Sequence, residues 1–155
     1  MLITDYLIHE CIAVNLKAGK KERIITELAE LQFANYPEID RAEAIAGLSE
    51  REKVLSTGIG NGIAIPHARL KSSHRISVSV GLMQGETDFE AIDHQPVRII
   101  FLVFFPKEEI NLQLRFLARI SRLLKDEALR ERLLSCECPD DVIEVFKQFE
   151  AQHFH

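Results

Sequence analysis

One histidine of this chain stands directly after a segment rich in glycine and apolar residues. Residues 58–66 carry three glycines at alternate positions and end in the proline that precedes His67. Glycine accepts positive φ and lets backbone N–H groups approach a ligand, and proline fixes the chain direction. A neutral imidazole nitrogen can attack phosphorus while its other nitrogen donates to a backbone carbonyl or a similar acceptor. The pattern therefore favours a histidine that receives or holds a phosphoryl group.

Polar residues near this segment offer groups that could bind phosphoryl oxygens. Arg51 approaches from a predicted helix, and its guanidinium would match those oxygens with paired donors. Ser56 and Thr57 supply hydroxyl donors, either to the phosphoryl group or to the turn itself. The N–H groups of Gly60 and Gly62 either cradle the anion or close a tight hairpin that only presents the histidine. For the hydroxyls and the glycines, both readings stay open.

Composition excludes several classes of function. The chain has 155 residues and a formal net charge of −5, which argues against a protein that binds a nucleic-acid backbone. No apolar run approaches the roughly 20 residues that a membrane span needs, and the N-terminus lacks the features of a secretory signal, so we expect a cytoplasmic protein. Its six histidines and three cysteines show no metal-binding spacing, so we expect neither a metal nor a cofactor.

Apolar periodicity predicts two helices, then a series of strands, then three helices. Asp40 and Glu43 form a capping-box pattern, and Asp126 is a predicted N-cap. This order predicts one α/β sandwich domain over residues 1–155, with a central mixed β-sheet flanked by helices on both sides. The helices are expected at 20–36, 40–51, 110–125, 126–136 and 139–150, and the main strands at 11–14, 54–55, 63–65, 76–82 and 97–105.

The run from Ser56 to His67, preceded by Arg51-Glu52-Lys53, resembles a known active-site signature. It is similar to that of the fructose/mannitol-type enzyme IIA of the bacterial phosphotransferase system, and most similar to its nitrogen-regulatory branch. The resemblance covers nearly the whole chain and implies the same mixed-sheet fold. It implies that His67 is the phospho-acceptor and that Arg51 stabilises the phosphoryl group.

The resemblance also implies the partners. A histidine-containing phosphocarrier protein would donate the phosphoryl group across a shallow docking surface, for which Ile59, Ile63 and Ile65 are candidates, although core burial is the ordinary fate of the last two. The output would be nitrogen- or potassium-linked regulation, through targets such as a potassium transporter or a sensor kinase. The alternatives are a sugar-transport component that passes the group to a IIB domain, and a binding module of the same fold that is never phosphorylated.

The chain departs from the family pattern at one position. Many members carry a second histidine at the start of the helix after the central strand, and alignment places Gln113 there. An amide can hydrogen-bond a phosphoryl oxygen but supplies no positive charge at any pH. Gln113 is therefore expected to bind the phosphoryl group more weakly than a histidine would.

Overall fold

The structure, a computed structural model, describes residues 1–54, 58–87 and 96–153, and at 52–54, 58–59 and 86–87 it describes the backbone alone. Within these ranges the chain forms two short 3-10 helices, Ile3–Tyr6 and His9–Cys11, followed by one strand, two helices, five strands and three helices. The helices are α1 Lys21–Asn35, α2 Arg41–Val54, α3 Ile110–Leu124, α4 Glu127–Leu134 and α5 Pro139–His153. The strands are β1 Ile12–Leu16, β2 Gly58–Gly60, β3 Ile63–Ala64, β4 His67–Leu70, β5 Ser77–Thr87 and β6 Val97–Pro106.

The described strands form one mixed sheet around β5 and β6. These two long strands pair antiparallel, and β1 lies parallel to β5 on one side. On the other side of β6, β3 and then β4 follow one another along the same flank, both parallel to β6. The short β2 pairs antiparallel with β3. The predicted central mixed sheet is therefore confirmed.

Each face of the sheet carries its own hydrophobic core, because successive side chains of a strand point to opposite faces. Phe101, Val103 and Phe105 of β6 pack with apolar residues of α3, α4 and α5. The alternate residues of β6, such as Leu102 and Phe104, pack with α1 and α2 on the opposite face. Since β6 is buried at nearly every position, its continuous apolar run has the burial expected of a central strand. The predicted helices on both sides of the sheet are confirmed.

The chain around the glycine turn differs from the prediction. The predicted strand at 54–55 is wrong at Val54, which belongs to α2, and Leu55 lies outside the described residues. The helix extends past the predicted end at Arg51, and no glycine or proline stands between Arg51 and Val54 to stop it. Strand β4 was not predicted, since four residues are too short for a clear alternation and their strand character comes from pairing with β6.

The capping box at the start of α2 forms only in part. Asp40 Oδ1 accepts a hydrogen bond from the Glu43 backbone N–H at 3.1 Å, as predicted. The Asp40 N–H, however, donates to Ser72 Oγ at 2.9 Å rather than to Glu43. The Glu43 carboxylate is instead occupied by residues just beyond β4, and this half of the prediction is wrong. At α4, Asp126 accepts from the N–H groups of Ala128 and Leu129, so the predicted N-cap is confirmed.

The three cysteines are free thiols. Burial raises the pKa of Cys11 to about 12 and the pKa of Cys136 to about 11. Such thiols stay protonated at neutral pH and are poor nucleophiles. Separately, none of the described helices has both the length and the apolar character that a bilayer crossing requires.

Candidate functional site

Strand β4 places His67 at the open flank of β6. Its register sets His67 beside Val103 and Arg69 beside Phe105. The intervening Ala68 is buried in the core on the α1 and α2 face. Because side chains alternate along a strand, His67 and Arg69 share the face that α3 covers.

The ring of His67 is held in one tautomer. Its Nδ1 lies 2.7 Å from the carbonyl oxygen of Ile65, and a carbonyl only accepts, so Nδ1 carries the proton. The ring also packs against buried Phe105 in a T-shaped arrangement, with centroids 6.3 Å apart and planes at 81°. In this tautomer Nε2 of the half-buried imidazole carries the lone pair, which is the form in which a histidine can act as a nucleophile.

A cavity of about 460 Å³ opens in front of His67 and brings three predicted site residues together. Helix α2 contributes Arg51, β4 contributes His67, and α3 contributes Gln113. These elements belong to both faces of the sheet, so the cavity lies where the two layers meet at the sheet flank. Its described lining consists of Gly47, Glu50, Arg51, His67, Ala68, Arg69, Lys107 and Gln113.

Close packing of α2 against β4 sets the position of Arg51. A side-chain carbon at Gly47 would lie 3.2 Å from Cβ of Ala68, so glycine permits the helix to approach the strand. Arg51 follows Gly47 by four residues, which places both on the same face of the helix. Half-buried Arg51 thereby lines the same cavity as His67.

Positive charge predominates in the described lining of this cavity. Arg51, Arg69 and Lys107 are cationic at neutral pH, and Glu50 is the anionic residue among them. Arg69 Nη1 also donates to the Lys107 carbonyl at 3.4 Å, which joins β4 to the turn after β6. An imidazole nucleophile among three cations is suited to binding an anion such as a phosphoryl group.

Gln113 lines the cavity from the first turn of α3. Its Oε1 is buried and accepts no hydrogen bond from any described residue. An unsatisfied buried acceptor costs on the order of 1–3 kcal/mol, so a donor delivered by a ligand or a neighbouring side chain would stabilise this amide.

The glycine turn lies away from this cavity. Gly60, Asn61 and Gly62 all have positive φ, at 96°, 57° and 77°, and the Asn-Gly pair turns the chain between β2 and β3 as a tight hairpin does. The Gly62 carbonyl accepts from the N–H groups of Arg98 and Ile99, and Gly62 lines a different cavity of about 220 Å³. Neither glycine is among the described residues that line the His67 cavity.

Other predicted residues fall outside the cavity or outside the description. Ser56 and Thr57 lie outside the described residues, as does the side chain of Ile59. Ile63 and Ile65 are buried core residues, 2% and 4% exposed, so they form no docking surface. Within the described ranges, no three His, Cys, Asp or Glu residues are grouped closely enough to hold a metal ion.

Sequence reasoning missed several residues around His67. Arg69 and Lys107 reach the cavity through the pairing of β4 with β6, which the sequence did not reveal. Ile110 and Leu114 of α3 are 51% and 60% exposed, although both are large and apolar. A signal for the last two existed, because they fall off the core-facing stripe that Phe116 and Ile120 define at helical spacing.

Comparison with known proteins identifies the family. Residues 5–149 match the family described as phosphoenolpyruvate-dependent sugar phosphotransferase system, EIIA 2. The nitrogen regulatory protein of Pseudomonas aeruginosa is 33% identical over 132 residues, 85% of this chain and 86% of that protein.

Two further similar proteins differ in the share of their own length that matches this chain. The fructose-specific EIIABC component of Bacillus subtilis is 33% identical over 148 residues, which are 96% of this chain but 23% of that protein. The crystal structure of nitrogen regulatory protein IIA-Ntr from Neisseria meningitidis superposes with a TM-score of 0.85 at 26% identity, covering 93% of this chain and 98% of that one.

Proposed function

The chain belongs to the EIIA 2 family of the phosphoenolpyruvate-dependent sugar phosphotransferase system, and on that premise we propose that it is a phosphoryl carrier with His67 as acceptor. Residues 1–155 would form one such domain. The donor is a histidine-containing phosphocarrier protein. The observation that carries the proposal is the 2.7 Å contact between His67 Nδ1 and the Ile65 carbonyl, at the mouth of a cavity that Arg51 also lines.

In the proposed reaction, His67 Nε2 attacks the phosphorus of the donor's phosphohistidine in line. A bond forms between Nε2 and phosphorus as the donor's nitrogen–phosphorus bond breaks. The Ile65 carbonyl keeps the His67 proton on Nδ1 and stabilises the positive charge that develops on the ring. Arg51 donates to the phosphoryl oxygens through its paired N–H groups, and Gln113 adds an amide donor. Ser56, Thr57, Gly60 and Gly62 stay candidates for further donors.

An exposed apolar patch beside the cavity supports a protein as the donor. Ile110 and Leu114 lie four residues apart, and Gln113 lies three residues from Ile110, so the three share one flank of α3. We assign this patch, defined as Ile110 and Leu114, to contact with the phosphocarrier. Its burial in a complex would contribute a favourable hydrophobic free energy next to the reacting histidine.

The proposed physiological role is regulation linked to nitrogen or potassium, exerted in the cytoplasm. The relative from Pseudomonas aeruginosa is named a nitrogen regulatory protein and matches this chain over 86% of its own length. Phosphorylated and unphosphorylated forms would bind different targets, such as a potassium transporter or a sensor kinase.

A second candidate is sugar transport, with transfer from His67 to a IIB domain. The fructose-specific EIIABC relative, which this chain matches over 23% of its length, favours it. The two roles differ in their acceptor: a sugar-transport component loses its phosphoryl group rapidly to a IIB domain. Transfer of label to a purified fructose IIB domain would therefore support this candidate over regulation.

The test is phosphorylation of the purified chain with enzyme I, phosphocarrier and phosphoenolpyruvate, followed by intact mass. We expect the mass of one phosphoryl group, labile to acid and stable to base. His67→Ala should abolish it, whereas His74→Ala, which removes an exposed histidine, should leave it unchanged. No added mass on the wild-type chain would identify a binding module that is not phosphorylated, and label that persists in His67→Ala would refute the assignment.

A further inference from the structure

We propose that Lys107 supplies a second positive charge to the phosphoryl group on His67, a role that Gln113 cannot fill. This inference rests on the proposed function of His67. Lys107 lies in the turn between β6 and α3 and lines the cavity together with His67, Arg51 and Gln113.

Backbone contacts hold Lys107 beside the strand that carries His67. The Lys107 N–H donates to the Leu70 carbonyl at 3.1 Å, and the Lys107 carbonyl accepts from Arg69 Nη1 at 3.4 Å. Both contacts reach β4, so the N–H and the carbonyl of Lys107 each join the turn to the strand. The exposed lysine side chain thus starts from a fixed point at the cavity edge.

Lys107 and Arg51 approach the cavity from elements on different faces of the sheet. Arg51 lies in the last turn of α2, which packs on one face of the sheet, whereas Lys107 precedes α3 on the opposite face. A phosphoryl group on His67 would therefore have a cation on each side. Arg69 is a positioning residue in this arrangement, because one of its nitrogens is engaged with the Lys107 carbonyl.

The charge of the bound group requires more than one cation. A phosphoryl group carries close to two negative charges near neutral pH. The described lining offers three cations, of which the carboxylate of Glu50 offsets one. If Lys107 were absent, the two positive charges of Arg51 and Arg69 would have to balance both the phosphoryl group and Glu50. Gln113 would add no charge. Lys107 forms no covalent bond: its ammonium donates to a phosphoryl oxygen as phosphorus moves to Nε2.

The experiment measures the rate of His67 phosphorylation with two donors, the phosphocarrier protein and phosphoramidate. Phosphoramidate is small, so its rate reports on the cavity and not on protein docking. Lys107→Ala should slow both reactions about tenfold, as loss of one charged donor at a partly exposed site predicts. Lys107→Arg should retain most of the rate. Lys147→Ala, which removes an exposed lysine on α5, should match the wild type.

Each alternative result has a distinct meaning. Equal phosphoramidate rates for Lys107→Ala and Lys147→Ala would overturn the inference, and a defect confined to the protein donor would overturn it in favour of a docking role. A wild-type chain that neither donor labels at His67 would instead refute the proposed function. Thermal melting of each variant excludes unfolding, because an exposed side chain in a turn contributes little to stability.

Discussion

The carboxylate of Glu43, near the start of α2, accepts a hydrogen bond from Ser72 Oγ at 2.6 Å. It also accepts from the backbone N–H groups of Lys71 and Ser72, at 2.8 and 3.1 Å. These residues immediately follow β4, so one side chain ties the helix that ends near Arg51 to the strand that begins at His67. The Ser72 hydroxyl is the largest cause that lowers the pKa of Glu43, and the two backbone donors add to it.

Glu43→Gln should lower the free energy of unfolding by about 1 kcal/mol at pH 7, because charged acceptors bind donors more strongly than amides do. A carboxyl whose pKa is lowered on folding stabilises the protein above its unfolded pKa, near 4.3, and loses this contribution as pH falls through the folded value. The deficit of the variant should therefore shrink below about pH 4. Urea unfolding at pH 7 and at pH 3.5 measures it. A deficit of equal size at both pH values would contradict the role of charge, and Glu137→Gln, at an exposed position, is the control.

Arg51→Ala should slow phosphorylation of His67 by on the order of 10²-fold, as expected for loss of a transition-state cation. Arg51→Lys should give an intermediate rate, since lysine keeps the charge but lacks paired donors. Quench-flow with the phosphocarrier measures the rates, and circular dichroism melting should change little. A normal rate in Arg51→Ala would show that Arg51 is a surface residue with no role in the transfer.

Gln113→His should speed phosphorylation, most clearly below the histidine reference pKa of about 6.5, where the new ring is largely protonated. The gain should be larger in a Lys107→Ala background, because there the new cation replaces a missing one. A double-mutant cycle measures this coupling. It compares the rates of the wild type, the two single variants and the double variant from pH 5.5 to 8. Additive effects at every pH would show that Gln113 and Lys107 act on different groups.

The double substitution Ile110→Ser and Leu114→Ser should weaken binding of the phosphocarrier about tenfold, since an interface would lose two apolar side chains. Both are exposed at 51% and 60%, so stability should hold. The KM for the phosphocarrier reports the effect, and the phosphoramidate rate should not change. Leu2→Ser, at the 37% exposed apolar residue near the N-terminus, is the matched control. A wild-type KM in the double variant would place the docking surface elsewhere.

The sequence predicts the long elements of this fold well, because their signals are local. The apolar run of β6 and the helical spacing of α1 need no distant partner to be recognised. The contacts of the Glu43 carboxylate could not be predicted in this way. It binds Lys71 and Ser72 instead of the Asp40 N–H, and these residues come near it only when α2 packs against β4. Strand β4 could not be predicted either, because its strand character comes from pairing with β6.

The candidate site divides in the same way. His67 and Arg51 could be named from the motif and Gln113 from the alignment with the family it resembles, and the fold brings all three to one cavity. Arg69 and Lys107 could not be named, because their contact joins residues 38 positions apart through the register of two strands. The exposed patch on α3 can be recognised only relative to the core-facing stripe of the helix, because Ile110 and Leu114 lie off that stripe.

The flank of the sheet that carries His67 also affects self-association. In the described part of the chain β4 pairs with β6 on one side alone, and such an edge can template pairing with another molecule. Short length, a proline and charged side chains are the features that prevent this, and β4 has only four residues, follows Pro66 and carries Arg69. The strand that presents the histidine is thus also built to keep the sheet from growing into aggregates.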